Sequence, residues 1–498
     1  MNQEDTERKE IDPPVETISE SGTAPGTYPF RQLRLNSYRH RTVRRWIFTY
    51  FFLLIFEGAL RKWLFAGIPL ISLPLSIVRD PVAMIIYFFA WRANVLPKNI
   101  RAVCWLGLSG FLLLGIIQLV ANPGLSFFVM LYGVRCYWLH VPLIFVMGAV
   151  LTRQDVLRIG RWLLLLAGPM AILMIAQFLA PPDSILNRGM FSEGVGQIEA
   201  ALGRVRPAGT FSYNTGAGSF NLLALAFLVF SFIDNCWTSN RTRWIATISL
   251  VEILPISGSR GFVLSTALFA AFALLGGSAN ARLRRVTLQT IAIGGAIFAV
   301  LMFTSFFRQG LETFAARWNE ALDASAAGSV KESIVMRFFG EFIRAFKLLG
   351  DTPVIGYGIG LGSNFGAAMT AGGLGFLLGE TEWERTVLEM GPLVAVLWLG
   401  VRCGFGFFIA RQAWSCLRRG HALPWLLFGT ECVAFFNGST AQPTQLGFVV
   451  VTTGLCLAAI KSVERGDSLL APDGKKTRRQ IPYPAVGLAS ADMLRDRS

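Results

Sequence analysis

The sequence predicts an all-α polytopic membrane protein with about twelve transmembrane helices and one large extracytoplasmic loop, and three observations lead there. Hydrophobic residues make up 53% of the 498 residues and charged residues only 15%, against roughly 25% in soluble domains. Apolar runs long enough for a bilayer follow one another along the chain. Lys and Arg are shared unevenly between the alternating connections. This composition excludes a soluble globular enzyme, a disordered chain and a disulfide scaffold. On a soluble chain the net charge of +15 would suggest nucleic acid; here it reads as membrane topology, and no nucleic-acid partner is expected.

Residues 1–30 are polar, with Pro, Ser and several acids, which predicts a disordered tail. No early apolar run is present to act as a cleavable signal peptide. Six arginines follow between Arg31 and Arg45, so residues 1–45 read as a cytoplasmic tail. Spans are expected near 46–60, 72–91, 103–120, 133–151, 162–180, 215–234, 244–257, 261–277, 287–306, 386–410, 423–439 and 444–461. The first part of the bundle is then 46–306, the last part 386–461, and 462–498 is a cytoplasmic C-tail. Thirty of the 46 Lys and Arg fall on the N-tail, on the C-terminal stretch from Lys461 onward and on inner connections near 92–101, 153–161, 241–243, 282–285 and 411–419, which sets both termini inside. Residues 244–277 form a hairpin with its outer tip at Ser257-Gly258-Ser259-Arg260, because a single span would move Arg282, Arg284 and Arg285 outside. The long outer loops are 181–214 and 307–385. No internal repeat is visible, which weakens an inverted-repeat transporter reading.

Seven cysteines without a CxxC read as small buried apolar residues. His40, His140 and His421 lie far apart, so neither a metal nor a cofactor is expected. Charges within spans each need an account. Glu57 and Arg61 are four apart and can pair on one helix face, either as an interfacial ion pair beside Trp63 or as the floor of an outer-face cavity. Arg79-Asp80-Pro81 interrupts the second span, with local pairing of Arg79 and Asp80 expected. Arg135 opens the fourth span, and Glu252 and Glu431 read as partnered structural carboxylates. The outer face holds Arg204, Arg206, Arg260, Arg337 and Arg344, where the charge rule disfavours them. Arg forks suit phosphate and carboxylate oxygens, so an acidic ligand would explain them; solvated or internally paired charges are the other reading. Residues 337–350 read as an amphipathic helix ending at a Gly350-Asp351-Thr352-Pro353 turn. The glycines from Gly356 to Gly362 lack a following Gly-Lys-Ser/Thr and read as close backbone packing.

These pieces, in this order, resemble the O-antigen ligase and polymerase superfamily of bacterial membrane proteins. Arg206-Pro207-Ala208-Gly209-Thr210-Phe211 looks like its Arg-x-x-Gly-Thr-Phe element, and Ser259-Arg260-Gly261 like its Ser-Arg-Gly hairpin tip. Pro353 to Gly360 looks like its Pro-x-x-Gly-x-Gly-x-Gly element, and Glu389-Met390-Gly391 like the Glu-x-Gly that opens the next span. The string from Glu57 to Trp63 is similar to that of exopolysaccharide members. The resemblance covers roughly residues 45–460. Ligases of this family place a His nine residues before the Glu of Glu-x-Gly; here that position is Glu380, and the loop has no His.

The resemblance implies a GT-C-like glycosyltransferase of the polymerase branch at the periplasmic face of the inner membrane. It would need no metal. The donor would be a growing glycan on undecaprenyl pyrophosphate, and the acceptor a hydroxyl of a new lipid-linked repeat. Arg206 and Arg260 would stabilise the leaving pyrophosphate and Glu380 would be the general base, with Glu382 and Glu384 behind it. Arg61, Arg135, Arg204, Arg337, Arg344 and Glu382 would bind substrate. Besides the bilayer, a chain-length regulator and a flippase are the implied partners. Ligase-type transfer and a lipid-linked oligosaccharide flippase are the alternatives.

Overall fold

Helix α1 (Tyr28–Ala59) begins well before the first apolar run, so the expected tail of 1–45 is helical over its last part. Pro29 lies in the first turn, where its missing N–H costs nothing. The Arg, Leu and Gln that follow are good helix formers, with no Gly to interrupt them. The computed structural model describes residues 28–66, 68, 71, 75–189, 199–323, 340, 342–371, 378–379 and 381–466, with backbone alone for 28–39, 321–323 and 431–437. The expected disorder of 1–27, the polar C-tail beyond 466, Arg337, Glu380 and the side chain of Glu431 lie outside these residues.

Among the described residues every regular element is helical, apart from one bridge between Glu199 and Val205. After α1 come α2 (Arg79–Arg92), α3 (Lys98–Ala121), α4 (Phe127–Val134), α5 (Val141–Val150), α6 (Arg153–Leu179), α7 (Asn214–Ile233), α8 (Asn240–Ile256), α9 (Arg260–Gly276) and α10 (Ala281–Leu301). Then follow α11 (Ser305–Asp323), α12 (Asn364–Ala371), α13 (Glu382–Met390), α14 (Pro392–Arg418), α15 (Leu423–Asn437) and α16 (Pro443–Glu464). Among the described residues, seven helical runs are long and apolar enough to cross a bilayer: α3, α4 with α5, α6, α7, α10, α14 and α16. The chain is thus a helical membrane protein. The others are shorter or more charged; α8 and α9 are separate helices joined at Ser257-Gly258-Ser259, as the hairpin reading expected. Ser259 starts α9 by accepting a hydrogen bond from the Phe262 amide at 3.3 Å.

Two departures from the expected spans matter for the site. The second span is expected from 72, and a turn at 76–78 interrupts it before the helix Arg79–Arg92, with Pro81 in that helix's first turn and not in the middle of a helix. The span placed at 386–410 is broken at Gly391, whose φ of 78° lies in the region open to glycine. A Cβ there would sit 2.1 Å from the Val354 carbonyl oxygen.

Burial divides the molecule in two. The larger core packs α16 among α5, α6, α7, α14 and α15, with 89% of the apolar window of α16 buried. The smaller core joins α3 and α4 to Ala345, Ile359, Val387 and Met390, so it is where the segment between α10 and α14 docks on the bundle. By contrast only 17% of the corresponding window of α10 is buried, as a lipid-facing helix requires.

Candidate functional site: two buried ion clusters

Each of two helices loosens into a π-helical turn, and each turn holds an arginine. The first, Leu60–Leu64, ends α1 with Arg61 and Lys62; the second, Arg135–Leu139, joins α4 to α5. Such turns re-aim side chains and recur at functional sites. Arg61 and Arg135 are each 7% exposed, and Lys62 and Arg79 each 1%. Buried charge of this kind needs a partner.

Glu57 supplies one. Its carboxylate accepts from Arg79 Nε at 2.8 Å and lies 3.9 Å from Arg61 Nη1, the helical pairing expected between residues four apart. Arg79 therefore pairs with Glu57 and not with neighbouring Asp80, because successive residues on a helix point about 100° apart. Asp80 turns the other way, accepting from Arg135 Nε and hydrogen-bonding His140 Nε2 at 3.0 Å. The other ring nitrogen of His140 meets Tyr50 Oη at 3.2 Å. Arg79 passes so close to α16 that a Cβ on Gly447 would lie 2.2 Å from its Nη1.

The cluster is unbalanced. Three arginines (Arg61, Arg79 and Arg135) face two carboxylates (Glu57 and Asp80). Nη1 and Nη2 of both Arg79 and Arg135 are buried with no hydrogen-bond partner among the described residues. Guanidinium groups do not deprotonate in proteins, so the surplus is a fixed positive charge with unfilled donors, a ready place for an anion or ordered water.

Lys62 ties this cluster to the Arg206–Phe211 segment. Its amine donates to the carbonyls of Gly209 at 2.8 Å and Phe211 at 2.7 Å. Thr210 Oγ1 donates to the Ile55 carbonyl at 2.6 Å, and a Cβ on Gly58 would lie 2.5 Å from the Thr210 oxygen, so only glycine lets the two backbones touch. Arg206 in turn leans on the α8–α9 tip: a Cβ on Gly258 would be 3.7 Å from its Cγ. Arg260, two residues on, is half-buried and has no hydrogen-bond or ion-pair partner among the described residues. The Arg-x-x-Gly-Thr-Phe-like and Ser-Arg-Gly-like segments are thus neighbours.

The second cluster is closed. Glu382 and Glu389 bracket Arg385 on α13, with Arg385 Nη2 to Glu382 at 2.9 Å and Nη1 to Glu389 at 2.9 Å. Arg402 Nη1 reaches Glu382 at 3.0 Å, and the Thr440 hydroxyl and amide also donate to it. Tyr137 Oη donates to Glu389 at 2.7 Å, and so does the Gly362 amide. Two arginines meet two glutamates, and no buried polar atom of these four residues is orphaned.

This second cluster clamps the glycine run. Tyr357 and Gly358 amides donate to the Leu388 and Glu389 carbonyls at 2.8 and 3.3 Å. A Cβ on Gly360, at φ 92°, would sit 2.2 Å from the Val129 carbonyl oxygen. Gln118 of α3 closes the seam, donating to the Ile355 and Glu389 carbonyls. The glycines serve close backbone packing, as their spacing suggested. Contacts between α4, α7 and α12 lie between the clusters: Tyr132 stacks on Phe365 with centroids 4.8 Å apart, and Asn364 Nδ2 reaches Tyr213 Oη at 3.4 Å.

The remaining sequence candidates divide. Glu382 is 2% exposed and both its oxygens are used, so it has no room for a substrate. Glu384 is ion-paired with exposed Arg344. Arg204 donates to Leu179 O at 3.1 Å and Gln309 Oε1 at 2.9 Å, holding the end of α6. Glu252 has no partner among the described residues, against the partnered role expected for it. Sequence reasoning missed Arg385, though Glu382-x-x-Arg385-x-x-x-Glu389 has the spacing of a helical ion triplet. His140 and Gln118 gave no signal at all. No family model and no curated protein matches this chain.

Proposed function

We propose that this chain polymerises undecaprenyl-pyrophosphate-linked oligosaccharide repeats into a surface polysaccharide or exopolysaccharide at the periplasmic face of the inner membrane. In this reading the twelve apolar segments all span, both termini are cytoplasmic, and the chain is a metal-independent glycosyltransferase. The single observation that supports it best is the surplus of buried guanidinium donors around Arg79 and Arg135, tied through Lys62 to the segment bearing Arg206. A leaving pyrophosphate develops negative charge, and preorganised cations in a site shielded from water lower the barrier to its departure.

Arg206 and half-exposed Arg260 contact the pyrophosphate, and the buried arginines supply the field beneath it. The acceptor hydroxyl gives its proton to Glu380, its oxygen bonds to the anomeric carbon, and the bond from that carbon to the phosphate oxygen breaks with the electrons leaving on pyrophosphate. Glu380 takes the base role because Glu382 and Glu384 are already engaged.

The test is a deletion strain complemented with wild type, Arg206→Ala, Arg260→Ala or Glu380→Gln at matched membrane levels. Single lipid-linked repeats accumulating on the outer leaflet without polymer are expected for each variant. Repeats trapped on the inner leaflet would mean transport, and full polymer in all three variants would remove the chemistry from these residues.

A further inference from the structure

The cytoplasmic half of the bundle, as positive charge orients it, holds a second feature that glycan transfer does not use. Helices α2 and α3 are consecutive and joined by a short connection, and between them lies a gap across which Trp91 and Trp105 meet edge to face, centroids 5.7 Å apart. The gap is a cavity of about 560 Å³, within the roughly 300–1,000 Å³ range of ligand pockets. Its sides are Phe88 and Trp91 of α2 and Trp105 and Leu108 of α3, and its floor is Trp138 and Pro142. The polar atoms nearby are satisfied internally: Trp138 Nε1 donates to the Cys104 carbonyl at 2.9 Å, and Tyr87 Oη to the Leu139 carbonyl at 2.6 Å. Nothing polar is offered to an occupant along its length, so the occupant there is a hydrocarbon chain.

One end differs. Arg92 and Arg101 both line the cavity where α2 gives way to α3, with Lys98 between them in sequence. The Arg92 guanidinium lies over the Phe88 ring, 5.5 Å from its centroid, at that end of the apolar wall. No Asp or Glu occurs between Asp80 and Asp155, and both of those are ion-paired, Asp80 with Arg135 and Asp155 with Arg44 and Arg158. The Arg101 side chain has no hydrogen-bond or ion-pair partner among the described residues. An apolar slot open to the bilayer with arginines at one end matches a lipid whose head is negative.

We infer that this groove binds an anionic phospholipid of the cytoplasmic leaflet, an acyl chain between α2 and α3 and the phosphate on Arg92 and Arg101. Charge complementarity selects it over a neutral lipid, and the arginines at the inner end select it over the prenyl substrate, whose pyrophosphate is at the opposite face.

The experiment is native mass spectrometry of the delipidated full chain with equal amounts of dioleoyl phosphatidylglycerol and dioleoyl phosphatidylcholine. Each arginine near a membrane surface contributes about 1 kcal/mol toward an anionic head, so a preference for phosphatidylglycerol of about fivefold or more is expected. Arg92→Gln with Arg101→Gln should bring the two lipids close to parity. Arg284→Gln with Arg285→Gln, exposed arginines elsewhere on the same face, should leave the preference intact. Equal binding by wild type overturns the proposal. So does a preference that both double variants lose alike, which means diffuse surface charge, or that neither loses.

Discussion

The two buried ion clusters are built from the same residue types and differ in one count. Around Arg385, two arginines meet two glutamates and every buried polar atom of the four is satisfied. Around Arg79, three arginines meet two carboxylates and four guanidinium nitrogens have no acceptor among the described residues. A closed network fixes a backbone; here it fixes the glycine run against α4 and α13. An open one leaves unfilled positive donors, which the proposed function assigns to a pyrophosphate. The proposed division into a structural and a functional cluster rests on that difference in count.

Breaking the closed cluster should have the largest effect. Arg385→Leu leaves Glu382 and Glu389 buried with too little positive charge, and removal of one partner from a buried pair costs about 3–5 kcal/mol. We expect loss of the folded peak in fluorescence-detected size exclusion of detergent extracts. A monodisperse variant would erase the contrast between the clusters.

Arg79→Gln should behave in the opposite way. Two carboxylates still face two arginines, so the protein stays monodisperse, while polymer formation falls by about 10²–10³-fold, the range seen when one preorganised donor is removed. Polymer yield per unit of membrane protein measures it. A variant that keeps its activity would make the surplus charge structural.

Lys62→Met sharpens the link between the open cluster and the Arg206 segment. It strips the Gly209 carbonyl of its lysine donor, leaving Gln177 alone on it, and the Phe211 carbonyl of the bond at 2.7 Å. An unsatisfied buried acceptor costs about 1–3 kcal/mol, read as a lower thermal midpoint in the purified protein. No change would mean that the two segments are held by Thr210 and Gly58 alone. The smallest effect is expected from Arg204→Ala, a half-buried residue whose bonds secure a helix end. We expect under about 1 kcal/mol in thermal stability and near-normal polymer, in contrast to Arg206→Ala.

The helices and their order were legible because apolar period and length mark them directly, and the Ser257–Ser259 tip because arginine bias forbade merging its two helices. What composition hid was backbone geometry. The turn at 76–78 before α2 and the break at Gly391 go with Pro81 in a first turn and with a positive φ, which hydropathy averages over. The same holds for the site. Arg206, Arg260, Arg61 and Arg135 stood out as charges where charge is costly. The partners of Arg79 and Arg135 did not, since Glu57 and Arg79 are 22 residues apart and Arg135 and Asp80 are 55 apart, and only the packed helices bring them together. Glu382 drew notice as a loop acid that could bind substrate or stand behind Glu380 as a base, and it is among the most buried, because Arg385 on its own helix and Arg402 on the next neutralise it.

The central claim is that the open cluster serves a pyrophosphate-linked lipid. The most direct measurement is retention of undecaprenyl pyrophosphate against undecaprenol by the purified full chain, comparing wild type with Arg79→Gln and with Arg206→Ala. Wild type should retain the pyrophosphate form preferentially, and each variant should lose that preference while still folding. Equal retention of the two lipids by wild type, or a preference untouched in both variants, would contradict the account.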